Sequence, residues 1–246
     1  MKHVDPFSYP DFTNLQWQGD LDTILSRLEI DRKNIAKAIL GWRRRKNRTW
    51  PVIPLRGVVL FPGKTMSFDI WRHASLRALQ EAAETDRELF VTAQRDLEVE
   101  EPDQDDLYPV GCLAKVRQIV ELRDDQNVSV QKILLVGLQR ARITAFKKSR
   151  KPYHEVALAR FEHPSPNPTD LESKAAFRLM LSQYERLARI SGRIPPDRIQ
   201  MIANRTDFGQ AADEVVSTTN LPLERCQQVL ETIDVNARLQ LVIQIL

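Results

Sequence analysis

Apolar residues along this chain follow two periods, and the switches between them divide it into three stretches. From Asp20 to Trp42 the spacing is helical. Leu21, Ile24, Leu25 and Leu28 form one stripe, and after Asp31, a suitable N-cap, Ile35, Ala38, Ile39 and Trp42 form a second. From Trp50 to about residue 160 the apolar residues come in short runs rich in β-branched side chains, divided by Pro and Gly. Beyond residue 170 the period is helical again to Leu246.

The β-type stretch begins at Trp50-Pro51-Val52-Ile53-Pro54-Leu55-Arg56-Gly57-Val58-Val59-Leu60-Phe61-Pro62-Gly63. Val52 to Leu55 and Val58 to Phe61 suit two short buried strands with turns forced by the Pro and Gly residues. Strands are predicted at Met66–Trp71, Glu88–Ala93, Pro109–Leu122, Val128–Val136 and Tyr153–Phe161, and the third is long enough to bend. Asp124 to Asn127 is the predicted hairpin turn, and Gly137 to Ile143 a tight turn into one more strand. One helix interrupts the series at Ala74–Glu84, with Leu76, Leu79, Ala82 and Ala83 facing inward, and the acidic stretch Asp96–Asp106 is a loop.

Pro164-Ser-Pro-Asn-Pro168 continues neither a strand nor a helix and marks a linker. Helices follow at Phe177–Ala188, after Pro195-Pro196, at Ala211–Val216 and at Leu223–Ile233. Asp234 caps a last one striped by Leu239, Val242, Ile243 and Leu246. That stripe meets the end of the chain with no capping Gly, basic last turn or Pro, as expected of a piece of a longer protein. The expected organisation is a helical extension over 1–49, a β subdomain over 50–163 and a helical subdomain over 164–246, an α+β class.

Composition narrows the function. The 246 residues are 42% hydrophobic and 28% charged, with a net charge of +3, so the basic excess is local. It sits at Arg43, Arg44, Arg45, Lys46 and Arg48, after the second predicted helix. Cations there favour the helix dipole as a solvated end, or they meet nucleic acid, an acidic partner or a membrane surface. Cys112 and Cys226 are far apart, and His3, His73, His154 and His163 are scattered, so no metal site is expected. Two unpaired Cys without a secretion signal predict a reducing, cytoplasmic setting, and no apolar run reaches the ~18–20 residues of a membrane span.

Catalytic motifs fail on geometry. Gly57 to Thr65 has five residues, not four, before Gly63-Lys64-Thr65, and Val58 to Phe61 would stand where a phosphate loop offers backbone amides. Ser129 and Lys132 have the Ser-x-x-Lys spacing, but in a strand they face opposite sides. The carboxylates of Asp96 to Asp106 lie in a polar loop, a poor place to raise a pKa.

Several separated motifs, in order, resemble one family. They are Ile53-Pro54-Leu55-Arg56-Gly57-Val58-Val59-Leu60-Phe61-Pro62-Gly63, Ala93-Gln94-Arg95-Asp96, Asp106 to Ala114, and Val136-Gly137-Leu138-Gln139-Arg140-Ala141-Arg142-Ile143. Arg193-Ile194-Pro195-Pro196, Leu221-Pro222-Leu223 and Asp234-Val235-Asn236-Ala237-Arg238-Leu239 continue the pattern. Together they resemble the N-terminal domain of Lon, the ATP-dependent serine protease. The resemblance implies a PUA-like β pseudobarrel followed by an α-helical bundle that recognises unfolded or degron-bearing proteins and helps hold a hexamer. It implies no catalysis and no cofactor in this chain, since ATP and Mg belong to the ATPase domain. The sequence departs from the family in its long lead over residues 1–50, in Trp71-Arg72 for Gly-Arg, and in Asp124 to Asn127 for Pro-Asp-Gly.

A receptor for unfolded chains needs accessible apolar surface. The candidates are Phe61, Pro62, Met66 and Trp71 around the first turn, with Leu97 and Tyr108 flanking the acidic loop; Phe61 and Tyr108 also suit a core. Two other readings are a free-standing adaptor or regulator of the same fold and a PUA-like RNA- or DNA-binding module. Against the last, the β stretch lacks interleaved aromatics and basics.

Overall fold

The computed structural model describes residues 48–123, 129–161 and 170–246. The helices expected before residue 48, the turn at Asp124–Asn127 and the linker at Pro164–Pro168 lie outside the described residues. The chain divides into two compact units, Met1–Arg48 and Thr49–Leu246.

The second unit opens with β1 (Trp50–Leu55), β2 (Thr65–Ile70), helix α1 (His73–Glu84) and β3 (Glu88–Ala93). Two long strands, β4 (Val110–Arg123) and β5 (Ser129–Phe146), and the short β6 (Glu155–Arg160) complete the sheet. Its order is β2-β5-β4-β3-β1-β6, and β6 pairs back onto β5, so five of the six strands form a closed ring. β1 and β3 are parallel because α1 carries the chain across between them; the other pairs are antiparallel. Ala78, Leu79 and Ala82 of α1 are fully buried, and they pack with Ile53, Leu55, Val91 and Leu135 from the sheet. Leu76 and Ala83, also expected to face inward, are only half-buried.

Two turns differ from the sequence reading. Val58 to Phe61 is not a strand. Val59, Leu60 and Phe61 are buried, but Gly57 (φ 73°) and Gly63 (φ 74°) bend the backbone into left-handed conformations that fold the segment over the core instead of along a ladder. Nor is Gly137 to Ile143 a turn. β5 runs through it with Leu138 as a bulged extra residue opposite Leu113/Ala114. Gly137 is needed there for close approach: a Cβ would lie 2.3 Å from the Phe61 carbonyl oxygen. Gly63 N–H donates to Gly137 O and Gly137 N–H to Lys64 O, both at 2.8 Å, so this loop is stitched to β5.

Five helices follow: α2 (Leu171–Ser191), α3 (Pro196–Ala203), α4 (Phe208–Thr218), α5 (Leu223–Glu231) and α6 (Val235–Ile245). Their ends follow capping chemistry. Asp170 accepts from the Glu172 and Ser173 amides, Asp207 from Gln210, and Asp234 from Ala237, while Gly192 closes α2 at φ 64°. Met180, Tyr184, Ala211, Val215, Val229, Leu239 and Val242 share one core with Val59, Phe61, Ala93 and Val110 of the sheet portion. α4 lies at its centre, buried over Ala211–Val216 on every face.

Candidate functional site

β2 alternates as a half-covered strand should: Thr65, Ser67 and Asp69 point out, while Met66, Phe68 and Ile70 point toward the core. The strand ends at Ile70, and the link to α1 carries Trp71 to the surface with 56% of its area exposed. Trp71 and Arg72 stand at a groove of about 910 Å³, whose other walls come from the end of β1, the acidic loop before β4 and the loop between β5 and β6.

The acidic loop is held rather than loose. Gln94, fully buried, donates its amide to the carbonyls of Asp96 and Val99 (2.5 Å for Val99). Arg56 donates to the Val99 carbonyl at 3.2 Å, and His154 Nε2 lies 3.2 Å from Pro102 O and 3.7 Å from Asp103. Arg72 donates one guanidinium nitrogen to Gln94 Oε1 at 3.1 Å, and its Nη2 is buried with no hydrogen-bond partner. Burial, then the nearby Arg56 charge, lowers the Arg72 pKa.

Across the groove Lys147, Lys148 and Lys151 face Glu100, Glu101 and Asp103, so the walls carry opposite charge. Lys151 is pinned to Glu81 at 3.1 Å and Glu155 at 3.3 Å, and Tyr153 donates to Glu81 at 3.0 Å. Its hydrogen bonding with Tyr153, then with Glu81, holds the Lys151 ammonium above its ordinary pKa. The groove thus combines an exposed indole, a buried guanidinium edge and charged rims. Among the described residues no three His, Cys, Asp or Glu side chains gather as metal ligands, and no helix is long and apolar enough to cross a membrane.

The structure sorts the residues singled out from sequence. Trp71 and Leu97 are exposed, and Leu97 packs beside Gly57 next to the groove-lining Arg56. Met66 is half-buried against the sheet core. Phe61, 1% exposed, and Pro62 are buried and offer no accessible surface, because the glycine turns tuck them beneath the helical layer. Tyr108 is half-buried against the same core with the Arg95 guanidinium 4.4 Å above its ring. Of the basic cluster, Arg48 is half-buried, and Arg43, Arg44, Arg45 and Lys46 lie outside the described residues. Arg56, Arg72, Gln94, Lys147 and Lys148 were not legible as a site, since four separate segments bring them together; the motifs holding Arg56 and Gln94 and the Trp71-Arg72 departure were the hints.

The fold is a mixed α+β module that carries a charge-rimmed groove. Its family follows from comparison: the model of the ATP-dependent protease La (LON) substrate-binding domain matches residues 49–246, and the chain belongs to that family. Relatives include the Lon proteases of Syntrophomonas wolfei, 32% identical over 81% of this chain and 24% of that protein, and of Clostridium acetobutylicum, 30% identical over 82% and 25%. The chain thus spans about a quarter of the length of the curated relatives it matches. Among solved structures, the N-terminal domain of Mycobacterium avium complex Lon protease superposes with a TM-score of 0.62 at 19% identity, covering 80% of this chain and 97% of that one. The Lon N-terminal domain protein from Xanthomonas campestris gives 0.57 at 15% identity, covering 80% and 98%. These two likenesses establish the fold.

Proposed function

We propose that this chain is the substrate-recognition portion of a Lon-type ATP-dependent protease, binding unfolded or degron-bearing proteins without catalysing their cleavage. The observation that carries the reading is Trp71: a large apolar side chain left 56% exposed at the mouth of a groove with charged rims. Exposed apolar groups are what unfolded chains share, and an indole beside charged side chains can meet many of them. The family match and the closed ring of strands support reading residues 50–163 as a PUA-like pseudobarrel and residues 164–246 as its helical bundle, after an extension over 1–49. In the full-length protein, cytoplasmic and hexameric on this reading, ATP and Mg act in a separate ATPase domain. Several copies around a ring multiply a weak single-site affinity.

Binding of fluorescent casein, an unfolded probe, and of a single-stranded oligonucleotide across a salt series tests the proposal. Casein binding that persists in salt and weakens in Trp71→Ala supports it. Binding of the oligonucleotide alone, steeply salt-dependent and lost when Arg43, Arg44 and Arg45 become Ala, would overturn it.

A further inference from the structure

We propose that the outer edge of β2 is a docking edge, on which an extended segment of an unfolded polypeptide binds by adding a strand to the sheet. This inference rests on the substrate-recognition reading above and names how the substrate is held.

Among the described residues β2 is the strand with a neighbour on one side only; every other strand has two partners over part of its length. Its pairing with β5 runs from Thr65↔Val136 to Ile70↔Gln131 without a register shift, so the edge is straight. The bond from Gly137 N–H to Lys64 O sets the alternation of the ladder. Lys64, Met66, Phe68 and Ile70 turn their backbone groups toward β5, which leaves the N–H and C=O of Thr65, Ser67 and Asp69 directed away from the sheet. Their side chains are exposed, and no backbone hydrogen bond from another described element reaches them.

Open edges are normally blunted by Pro, Lys or a bulge. The overhang of β4 shows this protection: Arg117 is a bulged extra residue, and Arg117 and Glu121 put charge along it. β1 has Pro54, which has no N–H to give. β2 has neither device. Thr65 and Ser67 are small and uncharged, Asp69 is answered by Lys132 at 3.6 Å on the next strand, and Lys64 turns away to Glu214 at 2.6 Å.

An unprotected edge suits a receptor for many sequences, because main-chain bonds ignore side-chain identity. The faces then add a bias. A strand laid beside β2 has alternate side chains next to half-buried Met66 and Phe68, and the others next to Thr65, Ser67 and Asp69. Segments with an apolar residue at every second position are therefore preferred.

The test uses the whole chain with casein and with a fluorescent decapeptide of alternating Val and Thr. Ser67→Pro removes an outward N–H without touching the β5 ladder, and it weakens both ligands about tenfold or more. In the wild type, casein slows amide hydrogen exchange at Thr65, Ser67 and Asp69. N-methylating the Thr amides of the peptide blocks antiparallel docking, and methylating the Val amides blocks parallel docking. Wild-type binding with unchanged exchange at these three amides, or peptide binding that survives both methylations, overturns the edge but leaves the receptor reading standing. Protection of the three amides in the free protein means that another part of the chain or a second copy covers the edge, and also overturns it. Failure of the wild type to bind casein defeats the receptor reading itself.

Discussion

Arg140 of β5 and Asp213 of α4 meet as a bidentate ion pair, Nη1 to Oδ2 at 2.9 Å and Nη2 to Oδ1 at 2.5 Å, with both side chains 1% exposed. Arg140 Nε also donates to the Leu230 carbonyl at 3.0 Å, and Arg238 of α6 approaches Asp213 Oδ1 at 3.5 Å. Arg238 further donates to the carbonyls of Thr232 and Ile233, both at 2.8 Å. Strand, central helix and last helix are thus fastened at one buried carboxylate. A planar guanidinium fork suits this task, since each of the three Arg140 nitrogens finds an acceptor where water is excluded.

Removing the carboxylate leaves two buried cations without their counter-ion. Asp213→Asn is expected to destabilise the fold by about 3–5 kcal/mol. Urea unfolding followed by far-ultraviolet circular dichroism measures it, and a loss below about 1 kcal/mol would show that carbonyls alone hold the two arginines.

Gly137→Ala places a methyl group 2.3 Å from the Phe61 carbonyl. The loop bearing Phe61 to Lys64 must move, at an expected cost of about 1–3 kcal/mol for an overpacked site. The same measurement checks it. Stability within ~0.5 kcal/mol of wild type would mean that the loop is not stitched as described.

Glu214 is met by Lys64 at 2.6 Å, Arg205 at 2.6 Å and Arg198 at 3.1 Å. Burial alone would raise its pKa, but the Lys64 and Arg205 contacts outweigh that and hold it below the ordinary value. On Lys64 the balance is reversed, with burial outweighing the carboxylate and lowering its pKa. A depressed carboxyl pKa stabilises above the unfolded value of about 4.3 and loses that contribution as pH falls through the folded value. The stability gap between wild type and Glu214→Gln should therefore be full at pH 7 and shrink below about pH 4. Guanidinium melts at a series of pH values check it; a gap that does not change with pH would contradict it.

Burial pushes the Cys112 thiol up to about 12 and raises that of Cys226. At pH 8 iodoacetamide should modify half-buried Cys226 slowly and Cys112 only on unfolding, as read by peptide mass spectrometry. Rapid labelling of Cys112 in the native protein would show that the ring of strands opens.

Much of the fold is legible in the sequence. β3 was predicted at Glu88–Ala93 and is found there, and α1 begins one residue before its predicted start. β3 is a short continuous buried run bounded by turn residues, and α1 has a clean helical period. Asp234 was readable as a cap because a short carboxylate before an apolar stripe has little else to do. Gly137 misled as a turn signal. Its absent side chain serves close packing against Phe61, which no local pattern reveals. Phe61 was open to both a surface and a core reading for a related reason: its sequence neighbours are turn formers, while in the fold it shares a buried cluster with Met180 and Val215.

By itself the sequence determined the local periods, the capped helix starts and the ordered motifs that mark the family, because these depend on residues within a few positions of one another. Arg140 and Arg238 already stood within two of those motifs, with nothing local to say that they share Asp213. Only the tertiary structure decided that, together with the closing of the ring through β6, the burial of Phe61, the exposure of Trp71 and the one-sided pairing of β2. Each depends on which distant segments exclude water from one another, a property of the packed chain rather than of any stretch of it.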